Sequence, residues 1–457
     1  MASRETIDNP TLSYGLIRSL FGRPTFNRYF RKIEIHRACK QSKGEPIIFA
    51  SNHQNALMDA LALSALPWYH QSVFFARADV FKSKAVINLL TITKIMPVYR
   101  MRDGVKNLQK NDEIFDYAVK FLQNKKCTIT LYPEGNHGDK RRIRMLQKGL
   151  FRIAFKAQND YGKANGIKII PIGLDYGHYQ KFRSTLLIQY GNPIEVSEYW
   201  DVYEENNAKG INALRERLSA EIKKLAIHIE SDEYYDFYMD GRELFRDITA
   251  GEYELPTRTL QHKFKVDKKT IEVIDRELEK NEDTLKAQKE KHIEFAKIRD
   301  KFNLRNWVFK KNSYSVLLEV IRLLFSLPLL PLAILGLFNN WPHFILPAKM
   351  DGKIKDPQFK STFKWGVGSI LMAVYFLILI ILAFAFMPVW WWALIYSLTL
   401  FKMGQITLYF RKIWVKALSR MRYTFNKNNS ELVKAKKLYT EMRDSYTAML
   451  NDFKGTL

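Results

Sequence analysis

His53 and Asp59 are the two residues of this chain that are best suited to acid–base catalysis. A carboxylate beside an imidazole fixes its tautomer and stabilises the imidazolium that forms when the ring takes a hydroxyl proton. On a regular helix, two positions six residues apart face about 120° apart, so the groups would not meet there. We therefore predict that His53 lies in a turn and Asp59 in the first turns of the following helix. The alternative interpretation is that His53 and Asp59 do not contact each other and have no joint role.

Apolar runs around this pair predict the elements that position it. Residues 46–50, directly before the pair, are typical of a short buried strand. Further strands are predicted at 72–77, in the apolar run 127–131, at 167–170 and in the stretch 186–194, which also contains a turn. An amphipathic helix is predicted at 106–126, since its apolar residues recur with the helical period. A strand, a turn and a helix start are a common place to present a reactive side chain in an α/β fold.

A second polar stretch, residues 131–139, contains Glu134 and Gly135. Glycine allows backbone N–H groups to approach an anion closely. Five cations follow at once: Lys140, Arg141, Arg142, Arg144 and Lys148. This density indicates a site for a phosphate group. Arg100, after the run 95–99, is a further candidate for bidentate phosphate binding, with a surface arginine as the alternative.

The composition restricts the partners of the chain. A net charge of +25 over 457 residues favours an anionic partner: a nucleic acid, an acidic lipid surface or phosphorylated substrates. The two cysteines, Cys39 and Cys127, form no metal-binding set, and they indicate a reducing compartment. Cys127 lies in an apolar run, which favours a buried structural thiol over a nucleophile. The polar residues 1–10 are followed by no apolar signal segment, so no secretory signal is predicted.

Four sequence blocks together resemble those of the PlsC-like glycerolipid acyltransferases. Asn52-His53 with Asp59 resembles the NHX4D block of that family, and Pro97-Val98-Tyr99-Arg100 resembles its second block. Tyr132-Pro133-Glu134-Gly135 resembles the FPEG block, and Ile170-Pro171-Ile172 resembles a short proline block. The blocks follow the family order and cover residues 25–200, which makes the resemblance specific. It implies an α/β fold with a mixed central sheet flanked by helices.

The resemblance also implies roles for individual residues. His53 would be the general base and Asp59 its partner, and the acceptor would contact Asn52, Arg100, Glu134, Gly135 and Pro171. The family usually continues its third block with Thr-Arg-Ser, in which the arginine binds phosphate, whereas this chain has Asn136-His137-Gly138. We therefore expect the phosphate contact to come from Arg141, Arg142 or Arg144. The departure makes the chain similar to the branch with fungal-type glycerol-3-phosphate and dihydroxyacetone-phosphate acyltransferases.

The implied reaction moves a fatty acyl group from an acyl thioester to a hydroxyl of glycerol 3-phosphate or 1-acyl-glycerol 3-phosphate. Acyl-CoA or acyl carrier protein would be the donor substrate, and we expect no cofactor and no metal. The tetrahedral oxyanion needs donors, which we expect among backbone N–H groups near Gly135 or in the loop after His53. Asp79 and Glu134 are alternative bases, but neither has an imidazole beside it in the sequence.

The sequence changes character beyond residue 200. We predict an acyltransferase domain at 38–230 and, around it, four other regions: basic amphipathic interfacial helices at 1–37, a charged helical arm at 231–310, a membrane domain at 311–412 and a basic C-terminal helix at 413–457. A helix packed on the domain is the alternative for 1–37, and a partner-binding coiled coil is the alternative for the arm.

The membrane domain holds three apolar segments, at about 316–338, 366–387 and 389–410. Basic residues before the first and after the last segment favour the cytoplasmic side, which requires an even number of crossings. A re-entrant first segment with two spans satisfies this requirement, and three segments with one flank wrongly assigned are the alternative. We therefore expect an integral membrane protein with its catalytic domain on the cytoplasmic face. The membrane would be the inner membrane of a bacterial cell or the endoplasmic reticulum membrane of a eukaryotic one.

Two other classes of protein are alternatives. A nucleic-acid-binding protein would explain the charge but not the uncharged run 365–401, and no nucleic-acid module is present in the sequence. A catalytically inactive membrane scaffold would explain the apolar segments, but His53 and Asp59 are both intact. An acyltransferase that acts on a different lipid acceptor stays open as an alternative.

Overall fold

The computed structural model describes residues 11–40, 44–63, 71–99, 110–123 and 128–455. The chain divides into two compact units. The first comprises Met1–His228 and Ile354–Trp365, and the second comprises Ile229–Lys353 and Gly366–Leu457. The predicted acyltransferase domain at 38–230 therefore lies within the first unit except for its last two residues. The first unit also includes a short segment from much later in the sequence.

The first unit alternates strands and helices along the chain. Its strands are β1 Lys32–Arg37, β2 Ile47–Ser51, β3 Ser72–Arg77, β4 Ile95–Val98, β5 Thr128–Leu131, β6 Lys168–Tyr176, β7 Thr185–Tyr190 and β8 Ile194–Glu195. Its helices are α1 Leu12–Leu16, α2 Arg23–Tyr29, α3 Leu57–Ala62, α4 Lys84–Ile92, α5 Lys110–Gln123, α6 Gly149–Gln158, α7 Trp200–Glu205 and α8 Asn207–Leu225. A π-helical stretch, Ile17–Gly22, joins α1 to α2.

The eight strands of the described residues form one sheet in the order β1-β7-β6-β2-β5-β3-β4, with β8 paired to β6. The pairs β6–β7 and β6–β8 are antiparallel, and the other pairs are parallel. The prediction of a mixed central sheet flanked by helices is therefore confirmed. β2 lies in the interior of this sheet between β6 and β5, so the chain leaves the middle of the sheet just before His53.

Alternate residues of β2 enter two hydrophobic cores, one on each face of the sheet. Ile47 and Phe49 belong to the core that also receives Phe26 and Phe30 from the N-terminal helical region. Ile48 and Ala50 belong to the opposite core, which helices α5, α6 and α8 cover. A strand buried on both faces is uniformly apolar, which is why 46–50 lacks the alternation of a half-exposed strand.

Pro171 lies inside β6 at a position that tolerates a missing N–H group. Its strand pairs with β8 through Ile169 and with β7 from Ile172 onward, so Pro171 falls between the two antiparallel partners. Proline has no backbone N–H group to donate to a neighbouring strand. A position between two partner strands reduces the free-energy cost of that missing hydrogen bond. Its carbonyl still accepts the Gly191 N–H at 2.9 Å.

The second unit is helical in the part of it that the structure describes. Its α-helices are α9 Tyr235–Leu244, α10 Arg246–Glu252, α11 Leu260–Lys280, α12 Glu282–Lys301, α13 Val316–Ser326, α14 Leu330–Lys349, α16 Trp390–Phe425 and α17 Ser430–Lys454, and it shares α15 Lys360–Phe386 with the first unit. The charged region 231–310 and the C-terminal region pack together: the ring of Phe245 stacks on that of Tyr446 at 4.2 Å, and Thr249 bonds to the Tyr446 hydroxyl at 2.7 Å.

Two helices among the described residues are long and apolar enough to cross a membrane: Val316–Lys353 and Pro357–Phe386. The helical run from Val316 continues past Phe338, the predicted end of the first segment, to Lys353. The third predicted segment, 389–410, forms the first part of α16 and does not meet the same criterion. Glu319 in the first segment is buried and pairs with Arg322 and, at 3.1 Å, with Arg420, so its charge is neutralised inside the helix packing.

Candidate active site

The structure brings His53 and Asp59 together, as the sequence predicts. Nδ1 of the His53 ring lies 2.8 Å from Oδ2 of Asp59. His53 occupies the turn after β2, and Asp59 lies in the first turn of α3. The Asp59 side chain is buried, whereas the His53 side chain keeps 16% of its surface exposed. One ring nitrogen is thus held by the carboxylate, and the exposed part of the ring can meet a substrate.

Asp59 is held in place by four hydrogen-bond donors. Its Oδ2 receives the backbone N–H groups of Gln54 at 2.9 Å and of Asn55 at 2.8 Å, in addition to the His53 ring. Its Oδ1 receives the hydroxyl of Tyr176 at 2.6 Å. Burial, followed by the charge of Asp59, raises the pKa of Tyr176 well above its usual value, so the hydroxyl stays protonated as a donor. The four donors together fix both oxygens of the buried carboxylate.

The turn between His53 and α3 contains a backbone conformation that few residues adopt. Ala56 has φ of 44°, in the positive region that L-residues other than glycine rarely occupy. The Met58 and Asp59 N–H groups then donate to the carbonyls of Asn55 and Ala56. This tight reversal returns the chain toward His53, and it allows Asp59 to reach the ring from only six residues away.

Glu134 connects the third sequence block to the backbone of His53. Its Oε1 accepts the His53 N–H at 2.9 Å, and its Oε2 accepts the N–H and Nε of Arg144 at 3.2 and 3.1 Å. Burial raises the pKa of the Glu134 carboxyl, and the His53 N–H and the Arg144 charge oppose that shift. Glu134 therefore holds the backbone of His53 and one cation in place, and its two oxygens face protein donors.

Several backbone N–H groups that we expected to stabilise an oxyanion are already engaged within the protein. The Gln54 and Asn55 N–H groups donate to Asp59, as described above. The Gly135 N–H donates to the Tyr132 carbonyl at 3.0 Å, and the Gly138 N–H donates to the His53 carbonyl at 3.2 Å. Gly135 is required for this turn, because its φ is 70° and an added Cβ would lie 2.9 Å from Cγ of Gln147.

Aromatic rings enclose His53 on two sides. The ring of Tyr132 stacks on the imidazole with a centroid distance of 4.2 Å and an angle of 18°. The ring of His137 meets it edge to face at 5.4 Å. Burial, and after it the proximity of His53, lowers the pKa of His137 from its ordinary value, so its neutral form is favoured at neutral pH. From the sequence, His137 was only a departure from the family pattern, and we predicted no role for it.

A small polar cleft lies beside His53. It is lined by residues of the turn after β2 and by the cations Lys140, Arg141 and Arg142. Arg141 is buried and bonds to Asp175 and the Tyr176 carbonyl, so it joins this loop to β6. The side chain of Arg144 is 35% exposed and bonds to Glu134 and to the Asn136 carbonyl. The three predicted phosphate-binding arginines therefore gather at one site but have different environments.

Other residues of the predicted site have different positions. The Asn52 side chain uses both of its polar atoms to bind the backbone of β6. Its Oδ1 accepts the Leu174 N–H at 2.7 Å, and its Nδ2 donates to the Leu174 carbonyl at 3.0 Å. Pro171 is buried inside β6 and does not line the described cleft. Arg100 and Cys127 lie outside the described residues. Tyr176 is the functional candidate that the sequence did not indicate, since its side chain reaches Asp59 only because β6 folds beside β2.

Residues 32–175 match the family model Acyltransferase. Two similar proteins come from Saccharomyces cerevisiae. Glycerol-3-phosphate O-acyltransferase 1 is 25% identical over 146 residues, and glycerol-3-phosphate O-acyltransferase 2 is 26% identical over 139 residues. The matches cover 31% and 30% of this chain, but only 19% and 17% of the two yeast proteins.

One solved structure is also similar to this chain. It is the 1-acyl-sn-glycerophosphate (LPA) acyltransferase PlsC from Thermotoga maritima, with a TM-score of 0.35 and 17% sequence identity. The match covers 50% of this chain and 86% of the other.

Proposed function

We propose that this chain, whose residues 32–175 match the family model Acyltransferase, transfers a fatty acyl group from an acyl thioester to a hydroxyl of a phosphorylated glycerol. The acceptor is glycerol 3-phosphate or its 1-acyl derivative, and the donor is acyl-CoA or acyl carrier protein. The observation that carries this proposal is the 2.8 Å contact between the His53 ring and a buried Asp59 with four donors.

His53 acts as the general base in the proposed mechanism. Asp59 holds Nδ1 in its protonated form, which leaves Nε2 as the atom that takes the proton from the acceptor hydroxyl. The hydroxyl oxygen attacks the thioester carbonyl carbon and forms a tetrahedral intermediate. The C–S bond then breaks, and His53 returns the proton to the leaving thiolate. Atoms and charges balance without a covalent enzyme intermediate, a metal or a cofactor.

The cationic loop after Gly138 binds the phosphate group of the acceptor. Lys140 and Arg142 line the cleft that also contains His53, and Arg144 is held close to it by Glu134. Arginine pairs with phosphate through two parallel N–H bonds, which orients the acceptor as well as attracting it. Arg141 positions this loop through Asp175 and takes a smaller part in binding.

The protein acts at a membrane in this proposal. Val316–Lys353 and Pro357–Phe386 supply apolar helices of sufficient length, and exposed apolar side chains on the N-terminal helical region supply an interfacial surface. Those side chains are Leu12, Leu16, Ile17, Leu20 and Phe21. The excess of basic residues beside the apolar helices supports a cytoplasmic position for the catalytic domain.

A transfer assay with both acceptors tests the proposed function. The full chain in detergent is given a labelled acyl-CoA or acyl carrier protein and either glycerol 3-phosphate or 1-acyl-glycerol 3-phosphate. Thiol release and labelled product are measured together, because hydrolysis alone releases thiol without forming a new ester. We expect acceptor-dependent ester formation with one of the two acceptors. Thiol release that needs no acceptor, or no transfer to either one, would contradict the proposal.

A further inference from the structure

A segment far outside the acyltransferase match lies beside the proposed catalytic histidine. Residues 354–365 belong to the same compact unit as His53, although the family match ends at residue 175. The ring of Phe359 meets the ring of His137 edge to face, with 4.9 Å between centroids and an angle of 89°. The His137 ring in turn meets His53 at 5.4 Å. Three rings thus form a continuous row that starts at the general base.

The segment is fixed to the loop that follows β6. The Ser361 hydroxyl donates to the Tyr179 carbonyl, and the same carbonyl accepts the side-chain amide of Asn55 at 3.1 Å. Lys364 donates to the Gln180 carbonyl at 3.0 Å. Ser361 is fully buried. One carbonyl therefore joins the segment to the catalytic loop two residues after His53, so Phe359 has a defined position relative to the base.

His53 has both polar and aromatic surroundings. Asp59 occupies Nδ1, and Tyr132 covers one face of the ring. The adjacent cleft is lined mainly by polar and charged side chains, which suit a phosphate. An acyl chain needs apolar contacts, because exposure of its CH₂ groups to water is unfavourable. The row from His137 to Phe359 supplies aromatic surface beside the base.

Phe359 also lies directly before a helix that is apolar enough to cross a membrane. It ends the short turn Pro357–Phe359, and α15, a helix apolar enough to cross a bilayer, begins at the next residue. An acyl chain that enters from the lipid along the start of this helix would meet Phe359 before it meets His137 and the base. The order of these residues in the chain therefore matches the order of contacts that the donor requires.

We propose that Phe359 is a specificity-determining residue, which forms with His137 the wall that receives the acyl chain of the donor. The proposal rests on the proposed acyl-transfer function and extends the active site to a segment outside the family match. Phe359 takes no part in proton transfer. Its contact with the acyl chain grows with the length of the chain, so its removal must affect long donors more than short ones.

The experiment compares Phe359→Ala with Phe363→Ala in the full-length protein in detergent. Phe363 is the matched control, because it lies in the same segment and its side chain is 46% exposed. The kcat/KM for palmitoyl-CoA is divided by that for butyryl-CoA, with the preferred acceptor. We expect Phe359→Ala to lower this ratio about tenfold, as for the loss of a few methylene contacts. Phe363→Ala should leave the ratio within twofold of the native value.

A binding measurement makes the test independent of turnover. The dissociation constant of a palmitoyl-CoA thioether, which cannot react, is measured for the native protein and both variants. We expect weaker binding for Phe359→Ala alone. An unchanged ratio and an unchanged dissociation constant would overturn the role of Phe359, and so would equal losses in both variants. If the native protein still transfers acyl groups in either of these outcomes, the role of Phe359 is wrong but the proposed function is not contradicted.

Discussion

The hydroxyl of Tyr176 donates a hydrogen bond to Oδ1 of Asp59 at 2.6 Å, across 117 positions of sequence. Both side chains are buried. The carboxylate thereby has one oxygen that contacts the His53 ring and another that is held by a strand of the central sheet. In the proposed mechanism, we infer that Tyr176 acts through Asp59 as a positioning residue.

Tyr176→Phe removes this donor and keeps the ring in the core. We expect kcat to fall about tenfold while KM for the acceptor stays within twofold, because a hydrogen bond to a charged group contributes about 1.5–3 kcal/mol. The split between kcat and KM is measured by steady-state kinetics. A merely structural role would lower the melting temperature and affect both constants through loss of folded protein, and that result would contradict the positioning role.

Gly173 lies where β6 meets the end of α8. An added Cβ would clash with the backbone carbonyl oxygen of Leu225, and backbone cannot move aside as a flexible side chain can. We expect Gly173→Ala to destabilise the first unit by about 3 kcal/mol or more, as overpacking against backbone does. Gly149→Ala is the control, since its Cβ would meet only Phe115 at 3.6 Å. Thermal unfolding of both variants measures the difference, and equal melting temperatures would refute the packing argument.

Gly336 permits close contact between two apolar helices of the second unit. A Cβ at this position of α14 would clash with the Met403 carbonyl oxygen of α16. Small residues let helix backbones approach in this way within membranes. We expect Gly336→Ala to reduce the yield of monodisperse protein in detergent. Gly366→Ala in α15 should not, since no neighbour from the described residues lies within 4 Å of its Cβ. Size-exclusion profiles that are the same for the two variants would count against this interface.

Asp267 makes the stability of the second unit sensitive to acid. Burial alone would raise the pKa of this carboxyl, but ion pairs with Arg242 at 2.9 Å and Arg246 at 2.7 Å outweigh it, so the net pKa is lowered. A carboxyl with a lowered native pKa contributes stability above the ordinary pKa of about 3.9, and that stability is lost as the pH falls through the native value.

We therefore expect the melting temperature of the full chain to fall below about pH 4 through protonation of Asp267. In Asp267→Asn the melting temperature should already be low at neutral pH and should depend less on pH in the acid range. Asp444→Asn, at an exposed position of α17, is the control and should keep the native pH dependence. A native acid dependence in Asp267→Asn would contradict the assignment.

The features that the sequence predicted depend on residues close together in the chain. The meeting of His53 and Asp59 depends on a turn and one helix start, so the pairing could be predicted from residues close together in the chain. The phosphate-binding cations were predicted as a group, because their density is visible in the sequence. Their individual environments were not, since the ion pair of Arg141 with Asp175 forms only when the loop lies against β6.

The features that the sequence missed depend on distant parts of the chain. Tyr176 and Phe359 carry no local signal, and each reaches the site through the packing of another element. The expected oxyanion donors illustrate the same limit. Backbone N–H groups beside a glycine are available only if no carbonyl or carboxylate in the fold accepts them, and here Asp59 and the carbonyl of His53 accept three.

The most direct test of this account is acyl transfer by His53→Ala, compared with His36→Ala as a matched histidine control on the edge strand β1. Labelled ester formation is measured with the preferred acceptor under single-turnover conditions, with folding checked by thermal unfolding. We predict that His53→Ala lowers the rate by about 10²–10⁴, the usual contribution of a general base, and that His36→Ala keeps the native rate. Native transfer by folded His53→Ala would contradict the assignment of His53 as the base and, with it, the mechanism proposed for this protein.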